Sequence, residues 1–319
     1  MNERYRIAHY WIRAGILAAL SWYIVHLVKS DKLHLYIVPR MIPYVKFGTL
    51  ALFAMAAFYA FLAISRSDGN AAEPDCDCGH EPSRSSSRNI LMYGLFAIPL
   101  LLGFALPDRI MGSEVVAVKG MNLNVATVEQ PTEQEEDLSE PSLEQPNEQP
   151  TEIPSEKREG ESPYHELDKR FPADDYGMDF ATLGKRLYPK DTIHVNAEGY
   201  LELLTTLDLY KDNFKGKDIV ISGFVYREDD MGKDEFVVSR MAMQCCSADA
   251  TPYGFLVRSD MGSSLNNDTW INMTGTLSTT VYRDNEIIRL EAKKIEVISA
   301  PDDPYVYPYY DDFEDLVVD

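Results

Sequence analysis

Four cysteines occur in the 319 residues, and they fall in two close pairs. Cys245 and Cys246 are adjacent in "MQCCSADATPYG", with Asp249 just beyond; Cys76 and Cys78 flank Asp77 in "PDCDCGHEP", next to His80. Thiolates and imidazoles are the ligand types that Zn²⁺ prefers, so both groups have a donor set for that ion. Adjacent side chains on a strand point to opposite faces, so Cys245 and Cys246 can act together only where the backbone leaves a strand. Ser247, Asp249, Pro252 and Gly254 mark such an exit, because that residue cluster favours a loop.

Three chemistries stay open for the adjacent pair. One is a soft-metal site completed by Asp249 or by a distant histidine such as His194. Another is a strained vicinal disulfide acting as a redox switch in an oxidising compartment. The third is two small apolar side chains packed at a strand end. In the other group, C-x-C-x-H is tighter than the usual C-x₂₋₄-C spacing, and reads either as a transient capture loop or as an exposed polar loop. The metal-ligand set read from the sequence is therefore Cys76, Cys78, His80, Cys245, Cys246 and Asp249, with Zn²⁺ as the expected ion. No Gly-rich phosphate loop, G-x-S-x-G elbow or H-E-x-x-H motif occurs, so the expectation is a protein that is not an enzyme.

The elements that must position these residues begin with three apolar stretches. Residues 10–28, 44–64 and 90–106 each approach the roughly 20 residues needed to cross a bilayer. Pro99 lies inside the third and is expected to kink it. Between the first two, "DKLHLYIVPRMIP" holds Arg40 between Pro39 and Pro43, and reads as a re-entrant segment or as a short interfacial loop. Arginine and lysine divide evenly between the two faces, so the positive-inside rule does not orient the chain. The expected arrangement is a multi-pass protein of the cell membrane with the N-terminus inside and the C-terminal domain extracytoplasmic, which leaves the Cys76 loop in a reducing compartment.

The formal net charge is −21, and most of the acid lies outside the apolar region. Residues 122–173 are rich in Glu, Pro, Gln and Ser, too polar to bury a core, and read as a disordered tether. Its roughly 50 residues would span on the order of 40 Å as a flexible chain. Residues 174–300 regain globular patterning. Tyr200, Leu203, Leu204 and Leu207 mark an amphipathic helix with Asn196 as its expected N-cap. Five strand patterns follow: "KDIVISGFVYRE", "DEFVVSRMAM", "GFLVRSD", "TWINMTGTLSTTVYR" and "NEIIRLEAKKIEVI". Gly223 and Gly275 sit inside two of them, where glycine marks a bulge or tight bend. The expected fold class is α+β: an N-terminal three-helix transmembrane region over residues 1–121, then a small OB-like β-barrel domain with one flanking helix. An acidic barrel repels phosphate, so nucleic acid is excluded as a partner. The tail, residues 301–319, alternates Pro, Tyr and acids; it either docks its aromatics or stays disordered.

Taken together, "YIVPRM", the Cys/His loop, "GKDIVISGFVYR" and "CCSADATPYGFLV" resemble a bacterial family of two-component permease subunits, the YcgQ type. The resemblance covers both ends of the chain and omits the acidic linker. It implies a multi-span protein with a C-terminal barrel, an accessory role beside a larger multi-span permease subunit of the YcgR type, and contact with membrane lipid. It also implies that Cys245, Cys246 and Asp249 carry the family motif, with Cys76, Cys78 and His80 as a looser Cys/His loop. Two rivals stand beside it: a membrane-anchored metal or redox sensor acting without a permease, and a structural envelope protein.

Overall fold

The computed structural model describes residues 3–67, 85–124, 163–173 and 177–317. The chain divides into two compact units: Met1–Met111 with Met243–Ala250 and Asp302–Tyr305, and Gly112–Ala242 with Thr251–Pro301 and Val306–Asp319.

The first unit is built on α1 (Glu3–Lys29), α2 (Ile42–Ser67) and α3 (Ser86–Ala105). A backbone in hydrocarbon must satisfy its own hydrogen bonds, and the helix does so within one segment. Arg4–Lys29, Pro39–Arg66 and Ser87–Ala105 are long and apolar enough to cross a membrane, and the three expected spans fall on them. Pro99 sits inside α3. Most of the large apolar side chains point outward, as lipid-facing residues do: Trp22, Phe47, Leu91 and Leu95 are all at least 70 % exposed in the protein alone. The polar side chains instead meet one another. Asn89 donates to the Tyr5 hydroxyl, His9 Nδ1 lies 2.7 Å from the Tyr93 hydroxyl, and the Arg66 guanidinium lies over the Tyr10 ring. Tyr23 packs edge-on against Phe104 in the space left by Gly103; the pairs Tyr5–Asn89, His9–Tyr93 and Tyr23–Phe104 advance together along both helices, so α1 and α3 run parallel.

The second unit is rich in sheet: β1 (Thr192–Val195), β2 (Asp218–Tyr226), β3 (Glu235–Ala242), β4 (Thr251–Arg258), β5 (Trp270–Tyr282), β6 (Asn285–Val297) and β7 (Tyr305–Val306). β7 includes Tyr305 of the first unit. Strand order is β1-β2-β5-β6-β4-β3-β7, with a further pairing of β2 to β3. β4 pairs parallel with β6, and β1 parallel with β2; the β2–β3, β3–β4, β2–β5 and β5–β6 pairings are antiparallel. The five strand patterns read from sequence are β2 to β6. β1 was hidden in a stretch that reads as the approach to a helix.

Glycine governs the tightest approaches. The β5–β6 register shifts between Thr274 and Gly275, a bulge of the expected kind. A Cβ on Gly223 would lie 2.4 Å from the Ser239 carbonyl oxygen, and one on Gly254 would lie 2.1 Å from that of Val238. β3 is thus squeezed between β2 and β4 at Val238–Ser239, and only glycine admits it.

Three sequence expectations need correcting. The helix α7 (Tyr200–Leu209) is capped by Gly199 in the left-handed region, not by Asn196. The second unit has more than one flanking helix: α4 (Ser113–Lys119), α5 (Pro163–Arg170), α6 (Met178–Leu187) and α8 (Lys211–Phe214) join α7. Structure also reaches into the stretch read as a tether. Phe171, just after α5, is 2 % exposed and packs on Tyr188, Tyr210 and Phe214, over Gly184 where a side chain would clash. At the tether's other end, Asn122 bridges Tyr253 of β4. Of the two readings of the tail, docking prevails among the described residues. Tyr309 N–H donates to Glu202, Phe313 packs on Phe180, and Leu316 covers Gly199.

Candidate functional site

β3 ends at Ala242 and β4 starts at Thr251, so both cysteines stand in the intervening loop. The loop is organised around Asp249. One carboxylate oxygen accepts from Gln244 N–H at 3.0 Å, and the other from Cys245 N–H at 2.7 Å and Cys246 N–H at 3.2 Å. Three successive donors on one carboxylate turn the backbone back, and this frees the two side chains from opposite strand faces. The sulfurs come within 3.6 Å as free thiols. Cys245 Sγ, Cys246 Sγ and an Asp249 oxygen all lie within 4.8 Å of one another, the described group of this kind. His194 is exposed on β1 and is not part of it. Cys76, Cys78 and His80 lie outside the described residues.

The electrostatics follow from the same contacts. The Cys245 thiol donates to Asp249 and neighbours Cys246, and these partners push its pKa up to about 12. Partial burial alone would raise the Asp249 carboxyl, but the thiol and the three backbone N–H groups outweigh it and hold the acid below its ordinary range. The resting loop is therefore a carboxylate beside a protonated Cys245.

The loop belongs to the first unit because it pairs with the α1–α2 connector. That connector is two 3₁₀ turns, Leu33–Leu35 and Pro39–Met41, joined by an extended Ile37–Val38. Ile37 and Cys246 form an antiparallel bridge; Val38 N–H donates to the Cys245 carbonyl at 3.2 Å, and Ser247 N–H to the Tyr36 carbonyl at 2.8 Å. The "YIVPRM" motif thus meets the thiol motif through backbone, with Val38 buried and Arg40 exposed.

A clasp that sequence reasoning missed holds the connector. Asp108, just past α3, accepts from Lys32 Nζ at 2.7 Å and from the Tyr36 hydroxyl. These two partners depress the Asp108 carboxyl; burial and the nearby carboxylate raise the Tyr36 phenol. The tail joins the same assembly: His34 Nε2 lies 3.2 Å from the Asp302 carbonyl, and Met111 N–H donates to the Tyr305 hydroxyl. Tyr36 inside a motif and an isolated Asp after an apolar span were the available signals.

These features define a class: an α+β membrane protein in which three apolar helices precede a sheet-rich domain whose thiol loop pairs with the first interhelical connector. Residues 12–122 match the family model described as the DUF1980 N-terminal domain, and residues 170–308 the DUF1980 C-terminal domain. The chain belongs to this family, the YcgQ type. It is 24 % identical over 305 residues to "UPF0703 protein YcgQ" of Bacillus subtilis, covering 92 % of this chain and 98 % of that one. It is also 24 % identical over 216 residues to a Streptococcus mutans protein named "Putative two-component membrane permease complex subunit", covering 67 % and 72 %.

Proposed function

We propose that this protein is the accessory subunit of a membrane permease complex, and that its thiol loop reports the state of the C-terminal domain to the membrane helices. The observation that carries this reading is the backbone pairing of Tyr36–Val38 with Cys245–Ser247, because it ties a loop between two strands to the link between two spans. The name of the Streptococcus mutans relative supports a permease-associated role. The helices support a partner: their described polar groups, such as Tyr5–Asn89 and His9–Tyr93, meet within the three-helix unit, and so few leave little for a transport path of the chain's own.

The pairings β2–β3, β3–β4, β4–β6, β6–β5 and β5–β2 return to their start, with the third and fifth strands of that set parallel, and this supports an OB-like barrel. The C-terminal domain faces the extracytoplasmic side, the partner is a larger multi-span subunit of the YcgR type, and the chain performs no catalysis itself. Purification of the full-length protein from its native membranes in mild detergent, with mass spectrometry of intact complexes, tests the assignment. A co-purifying polytopic subunit supports it; a lone chain under conditions that preserve other membrane complexes refutes it.

A further inference from the structure

The Cys245–Asp249 loop has the attributes of a ligand site that the accessory role does not require. A tetrahedral ion with metal–sulfur bonds of about 2.3 Å places two thiolates on the order of 3.8 Å apart. The two sulfurs stand at 3.6 Å before any ion is present. A carboxylate has about four lone-pair positions. Three backbone donors and the Cys245 thiol converge on the Asp249 carboxylate. A cation replacing the thiol proton therefore meets the carboxylate without dismantling the turn. Two thiolates and a carboxylate carry three negative charges, which a divalent ion reduces to one. The exposed position of Cys245 leaves a fourth coordination place for water or for a donor from another subunit.

We propose that this loop chelates one thiophilic divalent cation of the Zn²⁺ class through Cys245 Sγ, Cys246 Sγ and an Asp249 oxygen, and that occupancy is coupled to the α1–α2 connector. The binding step is balanced without redox chemistry: the ion forms two metal–sulfur bonds, and the two thiol protons go to solvent. Coupling follows because the ligands carry the connector's partners on their own backbone. Cys245 supplies the carbonyl to Val38, Cys246 bridges Ile37, and Ser247 donates to Tyr36. Locking the cysteine side chains on one ion restricts the same peptide units that pair with the connector. The inference extends beyond the permease reading and is tested on the isolated chain, so either can fail alone.

The test uses the full-length protein in detergent with Cys76→Ser, Cys78→Ser and His80→Ala, so that only this loop offers thiols. Titration with Co²⁺ is expected to give one equivalent of a thiolate-to-metal charge-transfer band that Zn²⁺ displaces. Apparent affinity should rise by up to roughly 100-fold per pH unit while both thiols are protonated, as two released protons require. Cys245→Ser and Cys246→Ser should each remove one thiolate's share of the band, and together all of it. Because the serine chains can be compromised in folding, hydrogen exchange of the parent chain gives an independent readout: Zn²⁺ should slow exchange at Val38, whose N–H donates to the Cys245 carbonyl. Absence of the band, a band that survives both serines, or a Cys245–Cys246 disulfide that forms in place of metal binding would overturn the chelation. Unchanged exchange at Val38 on loading would overturn the coupling.

Discussion

Replacing Asp249 by alanine removes the group around which the thiol loop turns. It deletes three backbone acceptor contacts at 2.7–3.2 Å together with the partner of the Cys245 thiol. Hydrogen bonds to a charged group contribute about 1.5–3 kcal/mol each when the donors are stranded. Here the loop is half-exposed, so water can replace much of the loss, and the pairings to Tyr36 and Val38 persist. The net effect on local opening should be about 2–3 kcal/mol, or roughly 30- to 150-fold faster amide exchange at Gln244, Cys245 and Cys246. Hydrogen exchange with mass spectrometry, on wild type and Asp249→Ala in the same detergent, reads this directly. Amides in β3 and β4 should keep their rates. A change below about threefold in the loop would refute the assignment of Asp249 as its organiser.

The remaining predictions concern pH, the sheet and the connector. The folded pKa of Asp249 is depressed, so its contribution is present above the ordinary carboxylate value and is lost as pH falls through the folded one. That of Cys245 is raised, so its contribution is present below the ordinary thiol value of 9.0 and is lost as pH rises toward about 12. Exchange in 244–246, corrected for intrinsic rates, should therefore be slowest between these limits; monotonic loss of protection across neutral pH would contradict it. Gly254→Ala places a Cβ 2.1 Å from a β3 carbonyl oxygen, and should cost about 3 kcal/mol or more, a fall in Tm of roughly 6–12 °C. A thermal melt within about 1 °C of wild type would contradict the strand approach. Tyr36→Phe removes one hydrogen bond to the Asp108 carboxylate at a half-buried position, and should speed exchange in the connector about fivefold, near 1 kcal/mol. Equal rates in the two proteins would show that the clasp contributes nothing.

Much of this was legible in the sequence because it rests on local signals. Long apolar runs located α1, α2 and α3, and period-two alternation located β2 to β6. The need for the chain to leave a strand before Cys245 and Cys246 could cooperate placed them in a loop, and the distance of Asp249 along the chain matched the turn it organises. What was not legible depends on partners remote in sequence. α5 and α6 are short and charged, and Leu167, Phe171 and Leu183 acquire meaning only when the core gathers them. β1 is four residues long and is fixed by parallel pairing to β2. Gly199 stands as cap in place of Asn196: its left-handed backbone favours glycine, and Leu316 lies where a side chain would be. The connector's pairing with the thiol loop joins residues more than 200 positions apart, and no periodicity announces such a bridge.

The accessory-subunit account is tested most directly by what accompanies the full-length chain out of its native membrane. Gentle solubilisation, affinity capture and mass spectrometry of intact complexes should release a complex containing one larger polytopic subunit, and Tyr36→Phe or Asp249→Ala should alter its yield or stability. Recovery of the chain alone, under conditions where unrelated membrane complexes of the same cells stay intact, would contradict the account and leave the thiol loop serving a self-contained membrane protein.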